Sequence, residues 1–368
     1  MKIALVHDYI KEYGGAERVL EALHDAFPKA DVYTSVYLPS YLGPHRERFA
    51  SWNIKTSFLQ YIPFKAKLIS PFRLLSPIVF SSFDFSSYDV IITSATGAYF
   101  PNTLKKGKAK LFCYCHTPPR YLYGYATARE WKKNSFLKIL GEFANHILRI
   151  VDFNASKNVD VYIANSEEVK GRIQKFYRKE AVVIYPPVQI ANRKSQMAHG
   201  EKRAFFLTGG RLARAKHIDL IVKACKELKL PLKVFGKAFA GYGEELQEIA
   251  KGQERIEFVG EVTDEEKLSL MSGAKAFLFA SEDEDFGITP VEAMGQGAPV
   301  IAYNSGGVKE TVVDGKTGLF FDELNVESLK KAINRLQRIK IDEKGCQKRA
   351  KEFDKALFLK KIKAIVAK

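Results

Sequence analysis

Two glutamates eight positions apart, Glu284 and Glu292, bracket the acidic stretch SEDEDFGITPVEAMGQG. Between them Phe286, Gly287 and Ile288 offer backbone N–H groups at the start of a predicted helix, whose dipole favours an anion. Earlier in the chain Arg211 and Lys216 stand five apart in Gly209-Gly210-Arg211-Leu212-Ala213-Arg214-Ala215-Lys216-His217. Two fixed cations there can neutralise a departing diphosphate, while carboxylates accept sugar hydroxyls. The combination suits a sugar joined to a diphosphate. Each pattern alone also fits solvated surface charge, and Arg214 reads as solvent-facing.

The elements that must position these groups follow from pattern. Ala276–Ala280 is an apolar run of strand length, and Pro290 lies in the first turn of a helix that continues through Val291, Glu292, Ala293 and Met294. The loop between them therefore sits where open α/β sheets bind ligands. Ala204–Thr208 is the strand before Gly209. At the N-terminus Lys2–His7 reads as a buried strand, and Tyr13-Gly14-Gly15-Ala16-Glu17-Arg18 opens a helix reaching about Phe27. Gly14 and Gly15 allow close backbone approach to a ligand, although a tight turn would use them equally. A further strand, Ala109–Cys115, ends in Cys113-Tyr114-Cys115-His116-Thr117-Pro118-Pro119-Arg120. His116 stands at a strand end before a proline-stiffened loop and can project into a crevice. The Cys-x-Cys-His run lacks a second ligand pair and is not read as a metal site.

The Glu-x7-Glu pattern around Phe286-Gly287, followed by Glu292-Ala293-Met294 and Gly297-x-Pro299-Val300-Ile301, resembles the signature of glycosyltransferase family 4, retaining enzymes of the GT-B fold. The resemblance implies an α/β architecture of two doubly wound, Rossmann-like parallel-sheet domains with an interdomain cleft and a C-terminal helix crossing back to the first domain. It also implies roles. Arg211 and Lys216 would clamp the diphosphate, and Glu284 would bind the donor sugar with the backbone of Phe286, Gly287 and Ile288. Glu292 would hold the ribose, and backbone groups at Glu261 and Val262 would read the base. Gly14 and Gly15 would lie beside the diphosphate and acceptor, and His116 would touch the donor sugar. His116-Thr117-Pro118-x-Arg120 resembles a mannosyltransferase-like subset of bacterial surface-polysaccharide assembly, including lipopolysaccharide, which points to GDP-mannose and leaves UDP- and ADP-sugars open. No metal cofactor is expected. Asp283-Glu284-Asp285 formally contains a D-x-D, but the two cations already meet the need that a metal serves elsewhere. The acceptor, a glycan or lipid-linked oligosaccharide, is not identified.

The chain of 368 residues is long enough for two domains. The expected division is residues 1–190, an acceptor-side domain completed by a helix at about 350–368, and residues 191–349, a nucleotide-sugar-binding domain. The polar run Gln189–Lys202 is the expected linker. Lys and Arg number 58 against 42 Asp and Glu, and the surplus is uneven: residues 1–200 hold 28 basic and 16 acidic residues. A basic first half attracts anionic substrates, lipid or nucleic acid. No zinc module, aromatic RNA-binding motif or arginine-rich arm supports nucleic acid. The stretch 52–85 interleaves aromatics and leucines with Lys55, Lys65, Lys67 and Arg73, and has Asp84 as its one acid. It reads as helices packed on the first sheet, or as a surface that seats on an anionic membrane, with Lys105, Lys106, Lys108 and Lys110 adding to it. Four cysteines and a short apolar start lead to the expectation of a cytoplasmic protein, peripheral on the inner face of the plasma membrane if that surface is used. The rival to a transferase is a non-catalytic nucleotide-sugar-binding protein.

Overall fold

The computed structural model describes residues 1–125, 135–190, 203–239 and 241–367, with the backbone alone for 135–140. Its contacts divide into two units. The first holds Met1–Tyr125, the described residues up to Pro187, and the stretch from Lys355; the second runs from Val188 to Asp354.

The first unit is built on seven parallel strands: β1 Ile3–His7, β2 Asp31–Thr34, β3 Ile54–Thr56, β4 Val90–Ala95, β5 Lys110–Cys115, β6 Val161–Ala164 and β7 Ala181–Val183. Their order is β3-β2-β1-β4-β5-β6-β7, so the winding reverses between β1 and β4. Central strands of such a sheet are covered on both faces and must be apolar throughout. In β1 this is visible residue by residue. Ala4 and Val6 enter one core with Ile91 and Leu111. Ile3 and Leu5 enter the other, beneath Val19, Leu20 and Leu23 of the helix Gly15–Ala26 and Phe358, Ile362 and Val366 of the helix Lys355–Val366. The four-residue spacing of that last trio forms one helical stripe.

The second unit repeats the plan with six parallel strands: β8 Phe205–Gly209, β9 Leu232–Phe235, β10 Ile256–Gly260, β11 Ala274–Phe279, β12 Val300–Tyr303 and β13 Gly318–Phe321. Their order is β10-β9-β8-β11-β12-β13, with the reversal between β8 and β11. The fold is therefore α/β with two doubly wound parallel sheets.

Local expectations needed three corrections. The 52–85 stretch is not a set of packed helices. It contributes the edge strand β3, the 3-10 turns Phe58–Tyr61 and Pro71–Leu74, and one six-residue helix, Ser76–Ser81. Prolines at the start of the last two pieces favour short helical turns over long ones. The C-terminal segment expected as one helix is two, Glu343–Lys351 and Lys355–Val366. Phe353 lies buried between them, and its carbonyl accepts the Val188 N–H at 3.0 Å. After β12 the Ser305-Gly306-Gly307 segment forms only a 3-10 turn, Gly306–Glu310. Most of the expected linker, residues 191–202, lies outside the described residues.

One buried carboxyl gives the first unit a pH dependence. Asp152, in the helix Ser135–Ser156, accepts hydrogen bonds from the Tyr123 and Tyr177 hydroxyls at 2.8 and 3.1 Å. Burial pushes its pKa up to about 7, and the two hydrogen bonds offset only part of that rise. Because the folded value exceeds the unfolded one, Asp152 is accommodated without penalty below about pH 4, and stability is lost as pH rises towards 7. Asp152→Asn is therefore expected to raise the unfolding free energy from denaturant titration at pH 8, by at most about 4 kcal/mol, and to leave it nearly unchanged at pH 4. Equal shifts at both pH values would refute this reading.

Candidate functional site

In the second unit the loops after β8 and β11 meet at the point where the winding reverses. The Glu282 N–H donates to the Ala215 carbonyl at 3.3 Å, tying one loop to the other. Lys216 Nζ forms an ion pair with Glu284 Oε2, and Ser281 Oγ donates to the same oxygen at 2.6 Å. The Lys216 ammonium also lies 5.5 Å from the centre of the Phe279 ring. The two side chains are 31% and 17% exposed, so a ligand can reach the pair. A partly exposed pair of this kind contributes on the order of 1 kcal/mol, little enough for a polar ligand to displace it. Arg211 is exposed at the head of the same loop, directly after Gly210.

Glycines enforce this convergence. Gly236, after β9, has φ +118°, and a Cβ there would lie 1.8 Å from the Gly210 carbonyl oxygen. A Cβ on Gly210 would come 3.9 Å from Thr289 Oγ1, which places the Arg211 loop beside the start of the helix Ile288–Gly295. The Glu284 loop is propped from the other side. The Gly307 N–H donates to the Glu284 carbonyl at 2.7 Å, and a Cβ on Gly306 would meet that carbonyl oxygen at 2.3 Å. Ser305, Gly306 and Gly307 are supporting residues that sequence reasoning missed; the Ser-Gly-Gly run after β12 was their signal.

Phe286 is buried against Phe353, with ring centroids 5.4 Å apart, so its side chain serves packing. Gly287 caps the helix with φ +88°, a conformation that favours glycine. Glu292 follows in the same short helix but is only 5% exposed. Its Oε1 accepts from Lys267 Nζ at 2.8 Å, and Lys267 also reaches Asp264 at 3.1 Å. Lys267, in the helix Asp264–Ser272, was not singled out from sequence, because nothing local links it to a residue 25 positions on. Glu261 and Val262 follow β10, two strands from β8; Glu261 is exposed and pairs loosely with Lys237 at 3.4 Å. Arg214 is exposed, as expected from sequence, and there it pairs with Glu245 at 2.5 Å and lies over the Tyr242 ring.

The first unit carries the other expected residues. Gly14 precedes the helix Gly15–Ala26, and its N–H donates to Glu17 Oε2 at 2.8 Å. His116 directly follows β5, where its N–H donates to the Ala95 carbonyl at 2.9 Å. The ring is 9% exposed, and burial pushes its pKa down to about 3, with His7 adding to the effect. His116 is therefore a neutral imidazole at physiological pH. Its Nε2 is 2.9 Å from Ser94 Oγ. The loop after His116 is held by Arg172, which is 3% exposed and donates to Thr117 Oγ1 at 3.1 Å. Gly97, with φ +77°, lets the neighbouring turn approach: a Cβ there would lie 2.7 Å from the Thr117 carbonyl oxygen.

The family model described as "Glycosyltransferase Family 4" matches residues 13–192, and "Glycosyl transferases group 1" matches 189–353. Among curated proteins, the chain is 26% identical to the alpha-1,3/1,6-mannosyltransferase ALG2 of Dictyostelium discoideum, over 80% of this chain and 79% of that one. The human ALG2 is 26% identical over 63% of this chain and 60% of its own length. The uncharacterized glycosyltransferase MJ1178 of Methanocaldococcus jannaschii is 29% identical over 55% of this chain, and the match spans 56% of that protein. Two solved structures share the fold across almost the whole chain. Anabaena HepE in complex with UDP-glucose has a TM-score of 0.72 and 20% identity, covering 100% of each chain. The lipopolysaccharide outer core galactosyltransferase WaaB has a TM-score of 0.67 and 18% identity, covering 98% of this chain and 97% of that one. With two family models running end to end from residue 13 to residue 353 over two doubly wound sheets, the chain belongs to glycosyltransferase family 4 and has the GT-B fold.

Proposed function

We propose that this glycosyltransferase moves mannose from GDP-mannose to a hydroxyl of a glycan or lipid-linked acceptor, with retention at the anomeric carbon, in surface-polysaccharide assembly. The observation that carries the donor chemistry is the Lys216–Glu284 contact at the reversal between β8 and β11. It brings a cation for the diphosphate and a carboxylate for the sugar to one spot. Arg211 and Lys216 stabilise the leaving diphosphate as charge develops on it. Glu284 and the backbone of Phe286, Gly287 and Ile288 hold the sugar. Glu292, fixed by Lys267, holds the ribose, and the backbone at Glu261 and Val262 meets the base. Gly14 and Gly15 border the diphosphate and the acceptor, and His116 orients the sugar. No side chain among these is placed as a covalent nucleophile, which fits departure of the diphosphate with assistance to acceptor deprotonation on the same face. Support for mannose comes from the likeness to ALG2 and from the His116-Thr117-Pro118-x-Arg120 run.

A membrane-facing role for the first unit finds support in its surface. Tyr61 and Phe64 are 84% and 79% exposed, with Leu74 and Ile78 following at 56% and 61%, and Lys65 and Lys67 lie among them. Among the described residues no helix is long and apolar enough to cross a membrane. Contact would therefore be with the interface: aromatic and aliphatic side chains in the acyl boundary, lysines on anionic headgroups.

Three outcomes are expected. Lys216→Ala and Arg211→Ala should each lower kcat/KM for GDP-mannose by about 100-fold or more, in the range of a lost charge stabiliser; near-normal rates in both would remove the clamp. Transfer should survive EDTA, and a thermal-shift screen should rank GDP-mannose above UDP- and ADP-sugars. Donor binding without transfer to any glycan would instead make the chain a nucleotide-sugar-binding protein. Finally, co-sedimentation with phosphatidylglycerol vesicles should exceed that with phosphatidylcholine and fall in a Tyr61→Ser, Phe64→Ser variant, whereas equal binding to both lipids would remove the membrane surface.

A further inference from the structure

Strand register in the first unit aligns three polar side chains, and a helix adds a fourth, that ordinary core packing would not choose. His7 ends β1 and is the direct partner of Ser94 in β4. Ser94 in turn pairs with Tyr114 in β5, and His116 lies two residues beyond Tyr114, so the period of two returns it to the same face. That face is covered by the helix Gly15–Ala26, which lowers Glu17 onto His7. The contacts run in series. The Gly14 N–H donates to Glu17 Oε2 at 2.8 Å, and Glu17 Oε1 lies 3.7 Å from His7 Nε2. His7 Nδ1 is 3.1 Å from Ser94 Oγ, and Ser94 Oγ is 2.9 Å from His116 Nε2. His7 and Ser94 are fully buried, and Glu17 and His116 are 6% and 9% exposed.

A series of this kind has a direction. Burial pushes the Glu17 carboxyl up, but His7 and the Gly14 N–H more than offset it, and the group stands below its ordinary value. Glu17 is therefore a carboxylate. His7 Nε2 has no hydrogen-bond partner of its own, so the anion beside it draws the ring proton to that nitrogen. In the neutral His7 ring Nδ1 is then a lone pair and accepts the Ser94 hydroxyl proton. Ser94, having given its one proton, can only accept from its other neighbour. The remaining ionisable groups beside the two rings are Asp8, next in the chain to His7, and Tyr114, whose ring meets that of His116 at 5.2 Å. Asp8 Oδ2 accepts from Thr96 Oγ1 at 2.5 Å and from the Tyr99 N–H at 3.1 Å, and its Oδ1, buried, has no hydrogen bond to either ring. The Tyr114 hydroxyl donates to the Ile184 carbonyl at 2.9 Å. Neither redirects the series.

We propose that Glu17, His7 and Ser94 are positioning residues that fix the proton of His116 on Nε2, leaving its Nδ1 as a hydrogen-bond acceptor. A ring so fixed receives a hydroxyl proton from a polar ligand and cannot donate one. For transfer this means that His116 accepts from a sugar hydroxyl, a statement that rests on the reading of His116 as a donor-facing residue. The tautomer itself does not depend on that reading.

The test uses the full chain labelled with 15N-histidine, with the His116 ring nitrogens assigned by their loss in His116→Gln. The wild-type ring should carry its proton on Nε2 with Nδ1 bare. Ser94→Ala should release the preference and give exchange between both tautomers. Glu17→Gln, which keeps an acceptor for the Gly14 N–H but removes the charge, should do the same, and it carries the test if Ser94→Ala fails to fold. A proton on Nδ1 in the wild type, or an unmoved tautomer in the folded variants, overturns the proposal. Kinetically, Glu17→Gln should lower kcat about tenfold at unchanged KM for the donor. If the tautomer shifts in the variants while His116→Gln transfers sugar normally, the series stands and the sugar-facing reading falls. If His116→Gln abolishes transfer while the tautomer stays fixed in the variants, that reading stands and the series falls.

Discussion

Lys216 and Glu284 can touch only because two strand-end loops from β8 and β11 are pressed together, and that closeness is what the rest of the second unit serves. Parallel strands are spaced by their backbone hydrogen bonds, so side chains on loops beyond them meet only if the loops turn inward. Backbone packing on backbone does this here. Gly236 lets one turn rest against the Gly210 carbonyl, and Gly306 and Gly307 let another support the Glu284 carbonyl. A methyl at any of these places would collide with main chain that has nowhere to move. The ion pair then joins the two loops, with Ser281 on the carboxylate and the Phe279 ring beneath the ammonium.

What could be read from sequence was whatever is local. The strand, acidic loop and helix around Glu284 and Glu292 are contiguous, so spacing alone located them, and the doubly wound plan followed from alternating apolar runs and glycine turns. Contacts that join distant elements were not visible. Lys267 reaches Glu292 because two helices pack side by side, and neither helix carries a mark of the other. The partnership of His7 with Ser94 needs the pairing register of β1 with β4, which a sequence of two apolar runs leaves undetermined. The pairing of the exposed Arg214 with Glu245 likewise joins separate elements. The 52–85 stretch misled for a different reason. Its apolar residues are dense enough for helices, but Pro71 and Pro77 restrict it to short turns, and several of its large side chains remain uncovered.

The cations of the second unit and the histidine of the first sit in different surroundings, and this has a chemical consequence. The second unit keeps Lys216, Glu284 and Arg211 at least partly exposed, where ions are inexpensive to maintain and can exchange partners. The first unit buries the His116 ring, where a lone ion is costly, and the ring is neutral in consequence. In the proposed reaction the sugar carbon becomes electron-poor as the diphosphate leaves. A buried imidazolium near that carbon would oppose the change, whereas a neutral ring with an acceptor nitrogen does not. Positive charge is wanted at the diphosphate and unwanted at the sugar. Exposed cations in the loop after β8 and a histidine neutralised by burial after β5 are each in keeping with that proposal.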